Sequence, residues 1–264
     1  MIGVSDIHVT FGVGTPLETR ALNGVDLEIP TGQFVTVIGS NGAGKSTLLN
    51  VVTGDIAPQQ GRVVVDGVDV TKWSAPKRAR LVARVFQDPM AGSCEALSIE
   101  ENMALAASRG HRRGVGAAIS GDRRDRFREQ VKRLGLGLED RLQDRMGLLS
   151  GGQRQAVSLL MATLSGMKVL LLDEHTAALD PRTGEFVLDL TRDIVSELGL
   201  TALMVTHSMR QALDLGDRTI MMHEGKIAFD IAGEERKGMD VPDLLALFSR
   251  VRGEELADDS LLLG

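Results

Sequence analysis

One glycine-rich segment of this sequence has the residue types and spacing to hold phosphate. Residues 39–47 read GSNGAGKST and satisfy the pattern G-x-x-x-x-G-K-[ST] between a predicted strand and a predicted helix. Its glycines let the backbone wrap closely so that amide N–H groups point at phosphate oxygens, Lys45 neutralises charge, and the Ser46 hydroxyl suits Mg²⁺. A chance match is the alternative, but the strand-to-helix placement argues against it. We therefore predict a nucleotide site formed by Gly39, Ser40, Asn41, Gly42, Ala43, Gly44, Lys45, Ser46 and Thr47.

Two acids and a histidine end later strands. The segment KVLLLDE predicts a buried strand that finishes in Asp173 and Glu174. At a strand end both acids can face one crevice, where one suits Mg²⁺ and the other can act as a base or orient the attacking water. His207 ends the strand predicted for TALMVTH, which points it toward the same sheet edge and a γ-phosphate. The alternatives are a solvated acid pair and a structural histidine.

A second segment also has the character of an anion-holding helix start. Residues 147–164 read GLLSGGQRQAVSLLMATL, in which Ser150, Gly151 and Gly152 precede a long apolar, helix-forming run. Serine at such a position accepts hydrogen bonds from backbone N–H groups, and the N-terminus of a helix favours an anion. These residues alone do not explain why one chain carries two phosphate-holding helix starts.

The elements that must position these residues alternate between strands and helices. Strands are predicted for VSDIHVTF, LNGVDLEI, QFVTVIG, KVLLLDE and TALMVTH, and hairpins for GRVVVDGVDV and DRTIMMHEGKIAF. Helices are predicted for KSTLLNVVTG, for much of the segment from Ser98 to Leu136, and for GEFVLDLTRDIVSELG, whose apolar face is Phe186, Leu190, Ile194 and Leu198. This alternation predicts an α/β fold built on a largely parallel sheet that is covered on both faces.

Composition narrows the classes of function. The 264 residues carry a formal net charge of −6, which gives no whole-chain electrostatic case for nucleic-acid binding. No run in the sequence approaches the roughly 18 apolar residues that cross a bilayer, so a role at a membrane requires another chain to span it. The single cysteine, Cys94, fits a reducing compartment.

In their order along the chain, these motifs resemble those of the ATP-binding cassette (ABC) ATPases. LSGGQ at residues 149–153 is similar to the signature motif of that family, and Gln87 to its Q-loop glutamine. Asp180 resembles the D-loop aspartate and His207 the switch histidine. Phe11 falls where the family places an aromatic residue against adenine, and a phenyl face can stack there.

The resemblance implies a role for each of these residues. Catalysis is expected from Lys45, Gln87, Glu174 and His207, and Mg²⁺ coordination from Ser46, Gln87 and Asp173. Beyond the phosphate loop, ATP is expected to contact Phe11, Gln87, Ser150, Gly151, Gly152, Gln153 and Asp180. The sequence departs from the family pattern at four positions: Ser40 and His175 replace a usual proline, and Ala156 and Thr163 a usual arginine.

The resemblance also implies the architecture. We expect a P-loop NTPase (RecA-like) core with an N-terminal antiparallel β-subdomain and an inserted helical subdomain. One ABC ATPase domain is expected over residues 1–235, with the core and β-subdomain in 1–88 and 165–235 and the helical subdomain in about 89–164. A C-terminal helix and an acidic tail are expected over 236–264.

Members of the family pair head to tail, so that each nucleotide lies between one subunit's phosphate loop and the other's signature motif. The second anion-holding helix start would then serve the partner's ATP. The resemblance implies a homodimer bound to transmembrane permease subunits at the cytoplasmic face of the bacterial plasma membrane. A solute-binding protein is expected as an indirect partner, and nucleic acid is not.

A narrower group is resembled by five segments taken together: GSNGAGKST, FQDP, LLSGGQRQA, DEHTAALDP and IMMHEGKI. The members of this group are ATP-binding subunits of bacterial importers with permeases like those for branched-chain amino acids, including tryptophan or tyrosine systems. An amino acid or a similar small solute is therefore the expected cargo. Two alternatives stay open, a soluble ABC ATPase of a non-transport assembly system and an exporter ATPase. The arginine-rich segment 109–133 predicts a solvated helical face or a contact with the permease or anionic lipid headgroups.

Overall fold

The computed structural model describes residues 1–110 and 119–252 of the chain. The strands are β1 (Ile2–Phe11), β2 (Thr19–Ile29), β3 (Phe34–Ile38), β4 (Gln60–Val65), β5 (Val68–Asp69), β6 (Val82–Val85), β7 (Val169–Asp173), β8 (Thr201–Val205), β9 (Arg218–His223) and β10 (Lys226–Ala232). The helices are α1 (Lys45–Thr53), α2 (Ala75–Arg78), α3 (Ile99–Ala107), α4 (Gly121–Lys132), α5 (Gly151–Thr163), α6 (Pro181–Leu198), α7 (Met209–Asp214), α8 (Gly233–Arg236) and α9 (Val241–Arg252), with a 3₁₀ turn at Met146–Leu148.

The described residues form two compact units, one within Met1–Arg78 and Gly199–Gly264 and one within Ala79–Leu198. In the first unit an antiparallel sheet has the strand order β2-β1-β4-β5. The predicted hairpin between β4 and β5 is confirmed, since Val65 pairs with Val68 across Asp66 and Gly67. Both turn residues have positive φ, as a two-residue hairpin turn requires.

A second set of strands in the first unit carries the phosphate loop. Strand β3 is buried along its whole length and pairs in parallel with β8 on one side and β9 on the other. The predicted closing hairpin is confirmed, because β10 runs antiparallel to β9 with Lys226 opposite His223. A strand buried on both faces is mostly apolar, and the one polar residue of FVTVI, Thr36, donates its hydroxyl to the Ala212 carbonyl at 3.0 Å.

The second unit combines one parallel strand pair with helices. Strands β6 and β7 pair in parallel, with Val85 opposite Leu172. Helices α3, α4 and α5 contribute buried apolar side chains to a separate core that includes Met103, Phe127 and Leu160. Helical spacing in the sequence between Ser98 and Leu136 thus corresponds to real helices, α3 and α4.

The predicted apolar face of α6 is correct only in part. Phe186 and Leu190 are half-buried against the helical core, and Ile194 is buried, but Leu198 at the helix end is 49% exposed. The remaining buried positions lie on an adjacent face, at Gly184, Val187, Leu188, Thr191 and Val195. A spacing of four residues drifts around a helix of 3.6 residues per turn, so its last member leaves the buried side.

Two segments singled out in the sequence extend beyond the residues that the structure describes. The acidic tail and residues 111–118 of the arginine-rich segment lie outside the described residues. On α4, Arg128 pairs with Asp125 at 2.9 Å, a contact typical of a solvated face, whereas Arg124 pairs at 2.6 Å with Glu100, whose side chain is buried. No helix within 1–110 and 119–252 is long and apolar enough to cross a membrane. The subdomain bounds drawn from the sequence stay a prediction.

Candidate nucleotide site

The phosphate loop is folded around its own lysine. The Lys45 ammonium donates hydrogen bonds to the carbonyl oxygens of Gly39 at 2.6 Å and Ser40 at 3.0 Å. The side chain is only 6% exposed. The loop backbone therefore holds a positive charge in place, which is the feature that a triphosphate needs at its β- and γ-phosphates.

Two of the loop glycines are required by packing as well as by backbone conformation. A Cβ on Gly39, whose φ is 145°, would lie 2.2 Å from the Met222 carbonyl oxygen. A Cβ on Gly44, with φ of 101°, would lie 2.5 Å from the Ala21 carbonyl oxygen. Neither approach leaves room for a side chain, so the loop can take this path only with glycine at both positions.

The first turn of α1 is open at its N-terminus. Gly44 is the N-cap and provides no side-chain hydrogen bond to the orphan N–H groups that follow it. Ser46 in this turn is exposed. The helix dipole and the uncapped N–H groups therefore favour an anion at this end. At the other end, the fully buried Arg78 donates to the carbonyl oxygens of Val51 at 2.6 Å and Val52 at 3.1 Å.

Phe11 is a surface residue at the end of β1. It pairs with Thr19 across the sheet, and its side chain is 44% exposed. Two other apolar residues of the following turn, Val13 and Leu17, are 67% and 83% exposed. The ring face at Phe11 is therefore accessible to a stacking partner.

His207 lies beside the phosphate loop in the first unit. It stands two residues beyond β8, whose Val205 is opposite Val37 of the neighbouring parallel strand β3. The Thr206 N–H donates to the Val37 carbonyl at 3.1 Å, and Ser208 then caps α7. His207 and the loop that begins at Gly39 thus leave the same edge of adjacent parallel strands.

The second unit places the two acids at the carboxyl end of β7. Asp173 is the last residue of that strand, and Glu174 follows with a φ of 46°, in the left-handed region. A non-glycine residue seldom adopts this conformation, and such residues cluster at functional sites. Gln87 is exposed two residues beyond β6, the parallel neighbour of β7, so it leaves the same strand edge as the two acids.

The residue after Glu174 anchors this turn to the interior. His175 is 2% exposed, and its Nε2 lies 3.0 Å from the Thr191 hydroxyl on α6. Because Thr191 donates its own proton to the Val187 carbonyl at 2.7 Å, the histidine must be the donor. Burial lowers the pKa of His175 to about 4, so the ring is neutral.

The signature segment forms a capping box at the start of α5. The Ser150 hydroxyl accepts from the Gln153 N–H at 3.3 Å, and the Gln153 side chain accepts from the Ser150 N–H at 3.1 Å. Ser150 and Gly151 are exposed, so this helix N-terminus is accessible. Arg154 braces the preceding turn by donating to the carbonyl oxygens of Gly147 and Leu149, both at 3.1 Å.

Asp180 has a structural function that the sequence analysis did not identify. Its carboxylate accepts the Thr183 N–H at 3.1 Å and caps α6, which then starts at Pro181. Hydrogen bonds from Thr183 lower the pKa of the exposed Asp180 carboxyl below its ordinary value. The capping signal, an acid directly before proline and three residues before threonine, is visible in the sequence.

Other side chains of the site could not be found from motifs. Gln155 is fully buried and donates to the Phe86 carbonyl at 3.2 Å, which fixes the backbone just before Gln87. Of the departures from the family pattern, Ala156 is fully buried in the helical core, and Thr163 donates to the Leu160 carbonyl at 2.7 Å.

Comparisons with known proteins agree with this arrangement. Residues 22–177 match the family model described as "ABC transporter". The chain is 41% identical over 224 residues to a tyrosine transport ATP-binding protein of Clostridioides difficile, covering 85% of this chain and 89% of that protein. It is 37% identical over 230 residues to an aliphatic sulfonates import ATP-binding protein of Rhizobium johnstonii, covering 87% and 76%.

A solved structure is similar over nearly the same span. The dimeric structure of a post-hydrolysis state of an ATP-binding cassette bound to ADP and Pi superposes with a TM-score of 0.76 at 30% identity, covering 90% of this chain and all of that chain. The family match, the length of the curated similarity and this fold agree with one another. The protein is thus an ATP-binding, ATP-hydrolysing subunit, and the chain belongs to the ABC transporter family.

Proposed function

We propose that this protein energises a bacterial importer for an amino acid or a similar small solute. The observation that carries the proposal is the similarity, over most of both chains, to a protein named for tyrosine transport. The import relative supports the direction of transport, since its name states import of its own cargo. The cargo itself would be recognised by other subunits of the transporter.

The phosphate loop would bind the triphosphate of ATP. Lys45 would exchange its two carbonyl contacts for β- and γ-phosphate oxygens, and the loop N–H groups with the open start of α1 would bind the remaining phosphate charge. Phe11 would stack on adenine through its exposed ring.

The residues proposed as metal ligands have the donor chemistry that Mg²⁺ prefers. The Asp173 Oδ1 oxygen makes no hydrogen bond to any residue within 1–110 and 119–252, and the Ser46 side chain is exposed. These two oxygens, with Gln87, would hold the ion together with the phosphates. Bound there, Mg²⁺ would neutralise charge on the β- and γ-phosphate oxygens.

Glu174 would accept the proton of the attacking water, and His207 would contact the γ-phosphate. Glu174 directly follows the last residue of β7 in a left-handed conformation, which supports this role because such residues cluster at functional sites. Gln87 would complete this group from the neighbouring strand end. The γ-phosphate of a second copy's ATP would be bound by Ser150, Gly151, Gly152 and Gln153. Asp180 would lie at the same contact between the two copies.

The proposed assembly is a head-to-tail homodimer attached to transmembrane permease subunits at the cytoplasmic face of the membrane. The accessible helix start at Ser150 supports the dimer, because it is a second anion-favouring position besides the open start of α1. A solute-binding protein would take part indirectly, by delivering cargo to the permease.

Reconstitution with the proteins encoded by neighbouring genes tests this proposal. The protein would be co-purified with a permease and a secreted binding protein encoded beside it, and the complex placed in vesicles. An importer would increase ATP hydrolysis only when binding protein loaded with a candidate amino acid is present on the permease's outer face. Stimulation by solute on the ATPase side without binding protein would indicate export, and failure to co-purify with any permease would favour a soluble ATPase.

A further inference from the structure

Arg84 contacts the proposed metal ligand and belongs to none of the recognised motifs. It lies on β6, opposite Leu171 of the parallel strand β7. Its Nη2 donates to the Asp173 Oδ2 at 2.5 Å, and the two side chains are 11% and 13% exposed. The guanidinium also lies over the Phe86 ring, 4.8 Å from its centroid. Asp173 and the Phe86 ring therefore hold the Arg84 side chain in position in the absence of a ligand.

We propose that Arg84 is a built-in counter-ion that weakens metal binding at Asp173 until nucleotide is bound. This inference rests on the proposed function, in which Asp173 is a Mg²⁺ ligand. A guanidinium is always charged at the pH of a cell, so its repulsion of a divalent cation at a shared carboxylate cannot be removed by titration. It can be offset by added negative charge, which the triphosphate provides.

The electrostatic argument depends on the short separation. A cation on the Oδ1 oxygen of Asp173 would share one carboxylate with the Arg84 guanidinium, so the two positive charges would be a few ångströms apart. At such a distance, repulsion between a divalent and a monovalent cation weakens the binding of the divalent cation by about tenfold or more, even at the dielectric constant of water. Partial burial of the pair increases this effect.

The side chains available as metal ligands also favour weak binding of free Mg²⁺ at Asp173. Within residues 1–110 and 119–252 there is no group of three or more His, Cys, Asp or Glu side chains that could hold a metal ion. A carboxylate that is already paired with a cation is then a poor site for free Mg²⁺. In this arrangement Mg²⁺ would bind together with the nucleotide and would bind only weakly in its absence.

Binding of Mn²⁺ alone, without nucleotide, tests the inference on the full-length protein. The loss of the free Mn²⁺ paramagnetic resonance signal reports binding, and Mn²⁺ accepts the same oxygen ligands as Mg²⁺. R84M removes the charge at similar volume, R84Q is a second neutral variant, and R84K keeps the charge. R84M/D173N removes the Arg84 charge and also replaces the carboxylate ligand with a neutral amide. Circular dichroism checks that each variant is folded.

We expect R84M and R84Q to bind one Mn²⁺ at least about tenfold more tightly than the wild type, R84K to resemble the wild type, and R84M/D173N to lose the gain. Unchanged or weaker binding in both neutral variants would overturn the role of Arg84. A gain that persists in R84M/D173N would show instead that the metal is not at Asp173, which contradicts the metal assignment of the proposed function. Adding ATP should reduce the difference between R84M and the wild type.

Discussion

Gly152 packs so closely against Thr183 that a Cβ on the glycine would lie 2.0 Å from the Thr183 methyl carbon. The contact joins the first turn of α5, the signature helix, to the first turn of α6, which follows Asp180. The neighbouring Gly151 is different, since a Cβ there would lie 3.5 Å from a Leu179 methyl, an ordinary contact. One glycine of the pair is thus required by packing and the other is not.

Substitution of the two glycines should therefore have unequal effects on stability. Gly152→Ala should lower the free energy of unfolding by about 1–3 kcal/mol because the new methyl overpacks the junction, whereas Gly151→Ala should have little effect. Urea denaturation of both variants measures the difference. In Gly152→Ala/Thr183→Ala the nearest atom would be the residue-183 Cβ at 3.5 Å, so stability should partly return. Equal losses at both glycines, or no recovery in the double variant, would contradict the contact.

Lys45→Ala should abolish ATP hydrolysis, because the loop would lose the charge that neutralises the β- and γ-phosphates. The Gly39 and Ser40 carbonyl oxygens would also lose their donor. Phosphate release under saturating Mg-ATP measures the effect. Turnover at the wild-type rate would contradict the assignment of the phosphate loop.

Phe11→Ala should weaken ATP binding by about 1–3 kcal/mol if the ring stacks on adenine as aromatic residues stack on bases elsewhere. Leu17→Ala is the matched control, because Leu17 is an even more exposed apolar residue in the turn that follows Phe11. Titration with a fluorescent ATP analogue measures both affinities. An unchanged affinity in Phe11→Ala, or an equal loss in Leu17→Ala, would remove the specific stacking role.

His175 should make the protein less stable as the pH falls. Its pKa is lowered from 6.5 to about 4 in the folded state because the ring is buried, so between these values the unfolded chain binds a proton that the folded chain does not. The histidine's contribution is complete above pH 6.5 and should fall by about 2 kcal/mol by pH 5. His175→Gln cannot titrate, so its unfolding free energy should depend less steeply on pH. Parallel pH curves for the two proteins would rule this out.

The parts of the fold that follow from local patterns could be predicted. Asp66 and Gly67 identify a hairpin because a two-residue turn needs positive φ, and the mostly apolar segment QFVTVIG indicates the strand β3. Both features are contained within a few consecutive residues. The exposed end of α6 at Leu198 shows the limit, since tertiary packing decides which face of a helix is buried.

The side-chain contacts of the site could not be predicted in the same way. Arg84 and Asp173 are 89 positions apart in sequence, and Gln155 lies 69 positions from the Phe86 carbonyl that it binds. Motif spacing identified Asp173 but contains no information about which cation faces it. His175 was visible as a departure from the family pattern, yet its anchor on Thr191 depends on how α6 packs beside the turn.

Glu174→Gln should stabilise the proposed head-to-tail nucleotide sandwich, because it removes the residue expected to accept the proton of the attacking water. The amide keeps the side chain's shape but cannot accept a proton from water, while Lys45, Asp173 and the exposed helix start at Ser150 remain. Light scattering during size-exclusion chromatography, over a range of protein concentrations, should show a long-lived dimer with Mg-ATP and a monomer with Mg-ADP. Adding Ser150→Arg to this variant should prevent the dimer while each monomer still binds ATP. Slow hydrolysis without an ATP-dependent dimer, even with the permease present, would contradict the sandwich.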